Sequence, residues 1–412
     1  MRRVSNRGWV LSLLGIVVSL VAAACAAMRG APVPAYADSQ PVFPIRATFY
    51  YPWFPEAWNQ QGMNPFTHFH PSLGFYDSSN SSVIRQHLRA MQYANIQAGI
   101  ASWWGQGSRT DQRIPLLLSN TAGSAFRWSL YYEPEGQTDP SVAQITSDLT
   151  YIKAHYGGDP SFLRVNGSFV VFVYAQPTDG CAMADRWKQA NTVGAYVVLK
   201  VFPGYATCAS QPQGWHQYAP AAAEDSQAGR SFSISPGFYK ANETSPRLAR
   251  DPVRWAANVR DMVNSRAPFQ LVTTFSEWGE GTSVESAAEW SSPSGYGSYL
   301  DALHYNGLSA PPPVATASAA ASTSARPGAT PRPSASASSP RSSASPGAAV
   351  AQSSSQAGGT PASGSGDPHG RLLQTGTTGE TSWLGHLPVV PVLLVLLLAA
   401  LLLVGWIRWR RN

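Results

Sequence analysis

Two glutamates three residues apart, Glu277 and Glu280, follow a hydrophobic, β-branched run from Phe269 to Phe275. Trp278 stands between them, and Gly279 and Gly281 interleave. Such a run makes a buried strand. Two carboxyls just past a strand end, beside an aromatic ring, suit general acid/base work at a glycosidic bond. One must carry a proton while the other is ionised, and unequal burial beside Trp278 together with mutual repulsion would separate them. The spacing alone is a short pattern that a solvated turn also satisfies. Glu133 occupies a comparable place, after the run 126–131 and before Pro134.

The elements that position these acids alternate. Strand-like runs fall at 46–51, 98–102, 126–131, 168–174, 195–201, 214–218, 231–235 and 269–275. Helical patterns fall between or after them at 82–95, 111–120, 139–156, 182–191, 219–229, 252–264 and 298–304. Alternation of this kind predicts a parallel sheet closed into a (β/α)8 TIM barrel, an α/β fold, over residues 38–308. A doubly wound open sheet is the alternative, but no Gly-x-Gly-x-x-Gly follows the first run, so nothing supports dinucleotide binding. In a barrel the active site collects at the C-terminal ends of the strands. Those ends carry Tyr51, Trp53, Trp103, Trp104, Glu133, Tyr174, Tyr205, Trp215, Tyr239, Glu277 and Glu280. Aromatics gathered at one end suit a sugar-lined cleft better than an evenly packed core.

Composition agrees. Aromatics make up 11% of the chain and charged residues only 13%, a balance that suits stacking on sugar faces. The net charge of +6 comes partly from arginines flanking the hydrophobic ends, so it is no nucleic-acid footprint. His68 and His70 lack further residues at metal-ligand spacing, and neither a metal nor a cofactor is expected. Cys181 and Cys208 fall in neighbouring loops on the same face and form either one disulfide or two free thiols.

The ends differ from the middle. Residues 1–37 predict a signal peptide: Arg2, Arg3 and Arg7, an apolar run from Trp9 to Ala27, and the small-x-small site Ala35-Tyr36-Ala37. Cleavage near Ala24 and an uncleaved anchor are the alternatives. Residues 309–386 are rich in Ala, Ser, Pro and Thr and predict a disordered linker. Residues 387–407 predict one transmembrane helix, and the basic tail 408–412, with Arg408, Arg410 and Arg411, places the C-terminus in the cytoplasm. The expectation is a single-pass cell-membrane protein with its catalytic domain outside the cell and its C-terminus in the cytoplasm, acting as a monomer.

The ordered set of motifs resembles glycoside hydrolase family 99, the endo-α-mannosidase and endo-α-mannanase type, with its bacterial relatives. The residues that carry the resemblance are Tyr50-Tyr51-Pro52-Trp53-Phe54, His70-Pro71-x-Leu73-Gly74-x-Tyr76-Asp77-Ser78, Ser102-Trp103-Trp104, Tyr132-Glu133-Pro134, Ser233-Ile234-Ser235-Pro236-Gly237 and Glu277-Trp278-Gly279-Glu280-Gly281-Thr282. The resemblance implies a (β/α)8 retaining enzyme that cleaves inside α-mannosyl chains, with the substrate's 2-hydroxyl as nucleophile. It implies Glu277 as the base on that hydroxyl, Glu280 as the general acid, and Glu133 as a sugar-holding carboxylate. Tyr51, Trp53, His70, Trp103, Trp104, Tyr174, Tyr239 and Trp278 complete the expected substrate contacts. The family's mannosidases usually carry His where this chain has Gly279, which bears on the sugar accepted. A cell-surface glycan-binding protein without turnover, and a related barrel hydrolase for α-glucans, are the alternatives.

Overall fold

The computed structural model describes residues 39–309. The predicted leader, linker, membrane helix and basic tail lie outside the described residues. Within them no helix is long and apolar enough to cross a membrane.

Eight strands run parallel: β1 (Ile45–Tyr50), β2 (Ala98–Trp103), β3 (Arg127–Tyr132), β5 (Ser168–Val173), β6 (Tyr196–Lys200), β7 (Gly214–His216), β9 (Ser231–Ile234) and β10 (Phe269–Val272). The hydrogen-bonded order is β7-β6-β5-β3-β2-β1-β10-β9. The free edge of β9 is taken by an antiparallel strand, β8 (Glu224–Gln227). Side chains close the remaining gap: Ser233 Oγ donates to Gln217 O at 2.6 Å and Ser235 Oγ to Pro220 O at 2.8 Å. The result is a nearly closed barrel of mostly parallel strands, as the alternation predicts. A two-residue strand, β4 (Arg164–Val165), pairs antiparallel with β5.

Helices α1 (Ser81–Tyr93), α2 (Arg109–Thr121), α3 (Val142–Ile152), α4 (Cys181–Ala190), α5 (Pro252–Ser265) and α6 (Ser298–His304) join the strands. Their starts follow local chemistry. Asn80 caps α1 by accepting from Ser82 N, Ser108 caps α2 by accepting from Asp111 N, and Asp251 caps α5, with Pro252 next in the first turn.

The segment 219–229 departs from expectation. It forms β8 and its turns, with no helix. Glu-Asp-Ser-Gln offers no apolar stripe to bury, whereas the open edge of β9 offers backbone partners. The last strand also ends at Val272, earlier than the apolar run suggests, because residues 273–275 turn into the loop that carries the two glutamates.

Candidate active site

The loop after β10 folds back on itself. Thr274 N donates to Thr282 O at 3.0 Å, Val284 N to Thr274 O at 2.9 Å and Glu285 N to Phe275 O at 3.0 Å. Inside this closure Thr274 Oγ1 accepts from Glu277 N at 2.9 Å, and Glu277 Oε1 accepts from Glu280 N at 3.1 Å. The two acids are therefore coupled through one backbone amide. Gly281 has φ +65°, and a Cβ there would lie 2.5 Å from Tyr239 O, so the turn between Glu280 and Thr282 accepts only glycine.

Their surroundings differ. Glu277 is 2% exposed, whereas the Glu280 side chain is 18% exposed. Glu280 Oε2 accepts from the Tyr218 hydroxyl at 2.9 Å, and Lys240 Nζ lies 3.8 Å from Oε1. Tyr239 N donates to Glu280 O at 2.9 Å, and the Tyr239 ring stacks on His68 at 3.7 Å. Tyr51 joins the group, with its N donating to Ser276 Oγ at 3.2 Å and its ring stacked on Trp53 at 4.5 Å. Burial first, then the charges of Glu133, Glu277 and Glu280, push the Tyr51 hydroxyl well above its usual range. Burial and then Glu133 do the same to Tyr131. Three carboxylates thus act on one tyrosine cluster, which the rings of Tyr131, Tyr174 and Tyr218 complete.

A buried network braces the loop from behind. Glu285 Oε2 accepts from the Tyr76 hydroxyl at 2.7 Å and from Trp278 Nε1 at 3.3 Å. Glu285 Oε1 meets His87 Nε2 at 3.1 Å, and His87 Nδ1 meets the Tyr50 hydroxyl at 3.0 Å. On the other side Arg250 donates to Gly281 O at 2.9 Å and Ser283 O at 2.7 Å.

The structure sorts the expected site residues. Glu277, Glu280, Glu133, Tyr51, Trp53, Tyr174 and Tyr239 lie in or against the cluster. Trp104 is at the end of β2, with its N donating to Thr110 Oγ1 at 3.1 Å. Trp103 does not serve as a substrate contact. It is fully buried on the outer face of the barrel, where Nε1 donates to Asp111 Oδ1 of α2 at 2.6 Å. Trp278 is likewise fully buried and holds Tyr76 and Glu285. His70 is at the surface, its Nδ1 2.7 Å from Glu289 Oε1. Strand alternation decides the case of Trp103, since neighbouring residues of β2 face opposite ways. Cys181 and Cys208 are joined as a disulfide with Cα atoms 5.2 Å apart, tying the start of α4 to the loop after β6.

Sequence reading misses Tyr131, Tyr218, Lys200 and His216. Tyr131, Lys200 and His216 lie within strands rather than after them, and alternation along β3, β6 and β7 was the available signal. Among the described residues no group of three or more His, Cys, Asp or Glu is placed to hold a metal.

Gly279 has a local explanation. A Cβ there would lie 2.9 Å from two atoms of the Phe66 ring and 3.1 Å from Glu277 Oε1. Phe66 occupies the space that a larger residue at 279 would need.

Residues 52–205 match the sequence model described as Glycosyl hydrolase family 99. The chain is 25% identical over 273 residues to a glycoprotein endo-alpha-1,2-mannosidase of Mus musculus, covering 53% of this chain and 56% of the relative. It is 23% identical over 266 residues to the protein of that name from Rattus norvegicus, again covering 53% and 56%. The chain thus spans about half the length of the curated relatives it matches. Its fold is similar to that of a GH99 endo-alpha-mannosidase of Bacteroides thetaiotaomicron, with TM-score 0.52, 21% identity, and coverage of 65% of this chain and 97% of the other. The family match and the relatives thus agree in likeness to glycoside hydrolase family 99.

Proposed function

We propose that this chain is a member of glycoside hydrolase family 99, a retaining, endo-acting hydrolase of α-linked, mannose-containing glycans. The observation that carries the reading is the pair Glu277 and Glu280, held by one amide on one loop yet differently exposed, beside Glu133 and a tyrosine cluster at the barrel mouth. In the first step Glu277 takes the proton of the sugar's 2-hydroxyl as that oxygen bonds to C1. The glycosidic C1–O bond breaks, and Glu280 gives its proton to the leaving oxygen. Lys240, 3.8 Å from Glu280, stabilises the carboxylate this leaves. In the second step Glu280 removes a proton from water, the water oxygen bonds to C1, and the 1,2-anhydro ring opens. The 2-oxygen then recovers its proton from Glu277, and both carboxyls return to their starting states. Net retention follows from two inversions at C1. Tyr51, Tyr174, Tyr239 and Glu133 line the sugar's path.

The same reading includes an exported protein held at the cell membrane by residues 387–407, with its barrel outside. The apolar 387–407 run and its arginine flank support this, as does the Cys181–Cys208 disulfide, a bond typical of oxidising compartments.

The test is release of oligosaccharides by the full-length protein from α-mannan and, separately, α-glucan. Release from mannan, lost in Glu277→Gln and in Glu280→Gln, supports the proposal. Binding of mannan without release would establish the binding-protein alternative, and preferential release from glucan would reassign the sugar.

A further inference from the structure

Strand alternation places Lys200 and His216 in the floor of the barrel mouth. Across β6 and β7 the register pairs Val198 with Gly214 and Lys200 with His216. A Cβ on Gly214 would lie 3.3 Å from both Val198 methyls and 3.6 Å from the Phe269 ring, so this pair meets inside the barrel. Two residues on, Lys200 and His216 face inward as well. His216 accordingly contacts the rings of Phe49, Phe172 and Tyr131. Lys200 is therefore an ammonium at the inner, C-terminal edge of β6, on the side of the barrel where the carboxylates gather.

It is also an ammonium with little to hold it. Lys200 is 8% exposed. Its Nζ donates to Ala175 O at 2.7 Å and lies 4.9 Å from the centre of the half-buried Tyr174 ring. Among the described residues no carboxylate comes within 4.0 Å of it, and Asp179 and Asp225 act on it only from longer range. Burial lowers its pKa to about 8, which leaves it largely protonated at pH 7. The same burial, with the Lys200 charge second, lowers His216 to about 3, so the neighbouring imidazole is neutral and adds no competing charge. A buried ammonium ordinarily has a counter-charge. A sugar hydroxyl would fill a hydrogen bond there but would leave the charge uncompensated.

We propose that Lys200, flanked by Tyr174, forms an oxyanion subsite in the floor of the cleft, taking a phosphate ester or carboxylate carried by the glycan. The inference rests on the glycan-hydrolase reading for the identity of the carrier. It adds a specificity for acidic glycans that the acid/base pair does not require. Lys200 is a specificity-determining residue here, not part of the proton transfers.

The experiment is binding rather than turnover, so its failure is separable from failure of the hydrolase reading. Full-length protein is titrated calorimetrically with methyl α-mannoside, methyl α-mannoside 6-phosphate, methyl α-glucuronide and inorganic phosphate. An ammonium–oxyanion contact in a buried site corresponds to roughly a tenfold preference for a charged sugar over the neutral one. Lys200→Met removes that preference, Lys200→Arg retains most of it, and both leave the weak neutral-sugar affinity unchanged. Tighter binding of the 6-phosphate than of the glucuronide assigns the subsite to phosphate esters, and the reverse order to carboxylates. Equal affinities for neutral and charged sugars in the native protein would overturn the proposal. So would an unchanged preference in Lys200→Met. Inorganic phosphate binding as tightly as either charged sugar would overturn the glycan-borne assignment. Should Lys200→Met fail to fold, loss of the preference in Lys200→Gln, checked by near-ultraviolet circular dichroism, decides the same question.

Discussion

The two ends of the barrel hold buried charge among different neighbours. At the N-terminal end Arg46 donates to Ala94 O, Leu303 O and Asn306 Oδ1 at 3.2, 2.9 and 2.7 Å. A recess of about 640 Å³ opens there, lined by Arg46, Gln92, Gln97, Gln270 and others, yet no carboxylate lines it. At the C-terminal end Glu133, Glu277 and Glu280 act on a shared set of tyrosines, and Lys200 has one backbone acceptor. The first arrangement joins strand β1 to the two helices beside it and contributes stability. The second gathers acids and amines around a shared set of tyrosines, with Lys240 3.8 Å from Glu280, an arrangement that suits acid/base chemistry and ligand binding.

Breaking the pair at the C-terminal end should show the largest effect. Glu277→Gln and Glu280→Gln are each expected to lower oligosaccharide release by roughly 10²–10⁴-fold, with little change in melting temperature. A loss of folding equal to the loss of rate would dissolve the contrast between the ends. Next comes the disulfide, which closes a separation of 27 residues. The double variant Cys181→Ser/Cys208→Ser is expected to lose about 3–4 kcal/mol in urea unfolding, through the entropy of the unfolded chain.

At the N-terminal end Arg46→Met removes the side-chain donor from the Ala94 and Leu303 carbonyls and from Asn306 Oδ1. It should lose about 2–3 kcal/mol of stability while the specific activity of the folded fraction stays the same. An activity loss beyond the folded fraction would show that the two ends are coupled. Gly279→Ala drives a methyl against Phe66 and is expected to lose about 1–3 kcal/mol, with Phe66→Ala/Gly279→Ala recovering much of it. If the double variant is no more stable than the single one, Phe66 is not what excludes a side chain at 279.

The smallest effect concerns Glu135, fully buried beside the Glu133 loop and bonded to Trp187 Nε1 at 2.5 Å and Arg186 at 3.0 Å. Burial raises it from 4.5 to about 7, outweighing those two donors. The folded state therefore holds a proton that the unfolded state has released, so this group's stabilisation is present below pH 4.5 and lost as pH rises through 7. Melting temperature against pH should fall more steeply across that window in the native protein than in Glu135→Gln. An identical slope would remove Glu135 as the cause.

The sequence by itself determined the barrel, because periodicity of apolar residues reports which face of each element is buried. It also singled out Glu277, Glu280 and Glu133, because acids directly after strands are rare without a use. It misassigned 219–229 as a helix because the pull of an open strand edge is invisible until the sheet exists. The tertiary structure alone decided which aromatics lie beside the carboxylates. Trp103 and Trp104 are adjacent in the chain and equally plausible as ligands, yet Trp103 is spent on Asp111 in the helical layer. The direction of a side chain at a strand end depends on strand tilt and on the partner waiting outside, and neither is written in local spacing. The same holds for Lys200, an ordinary residue at the end of an apolar run until barrel closure turns it inward, with no carboxylate within 4.0 Å among the described residues.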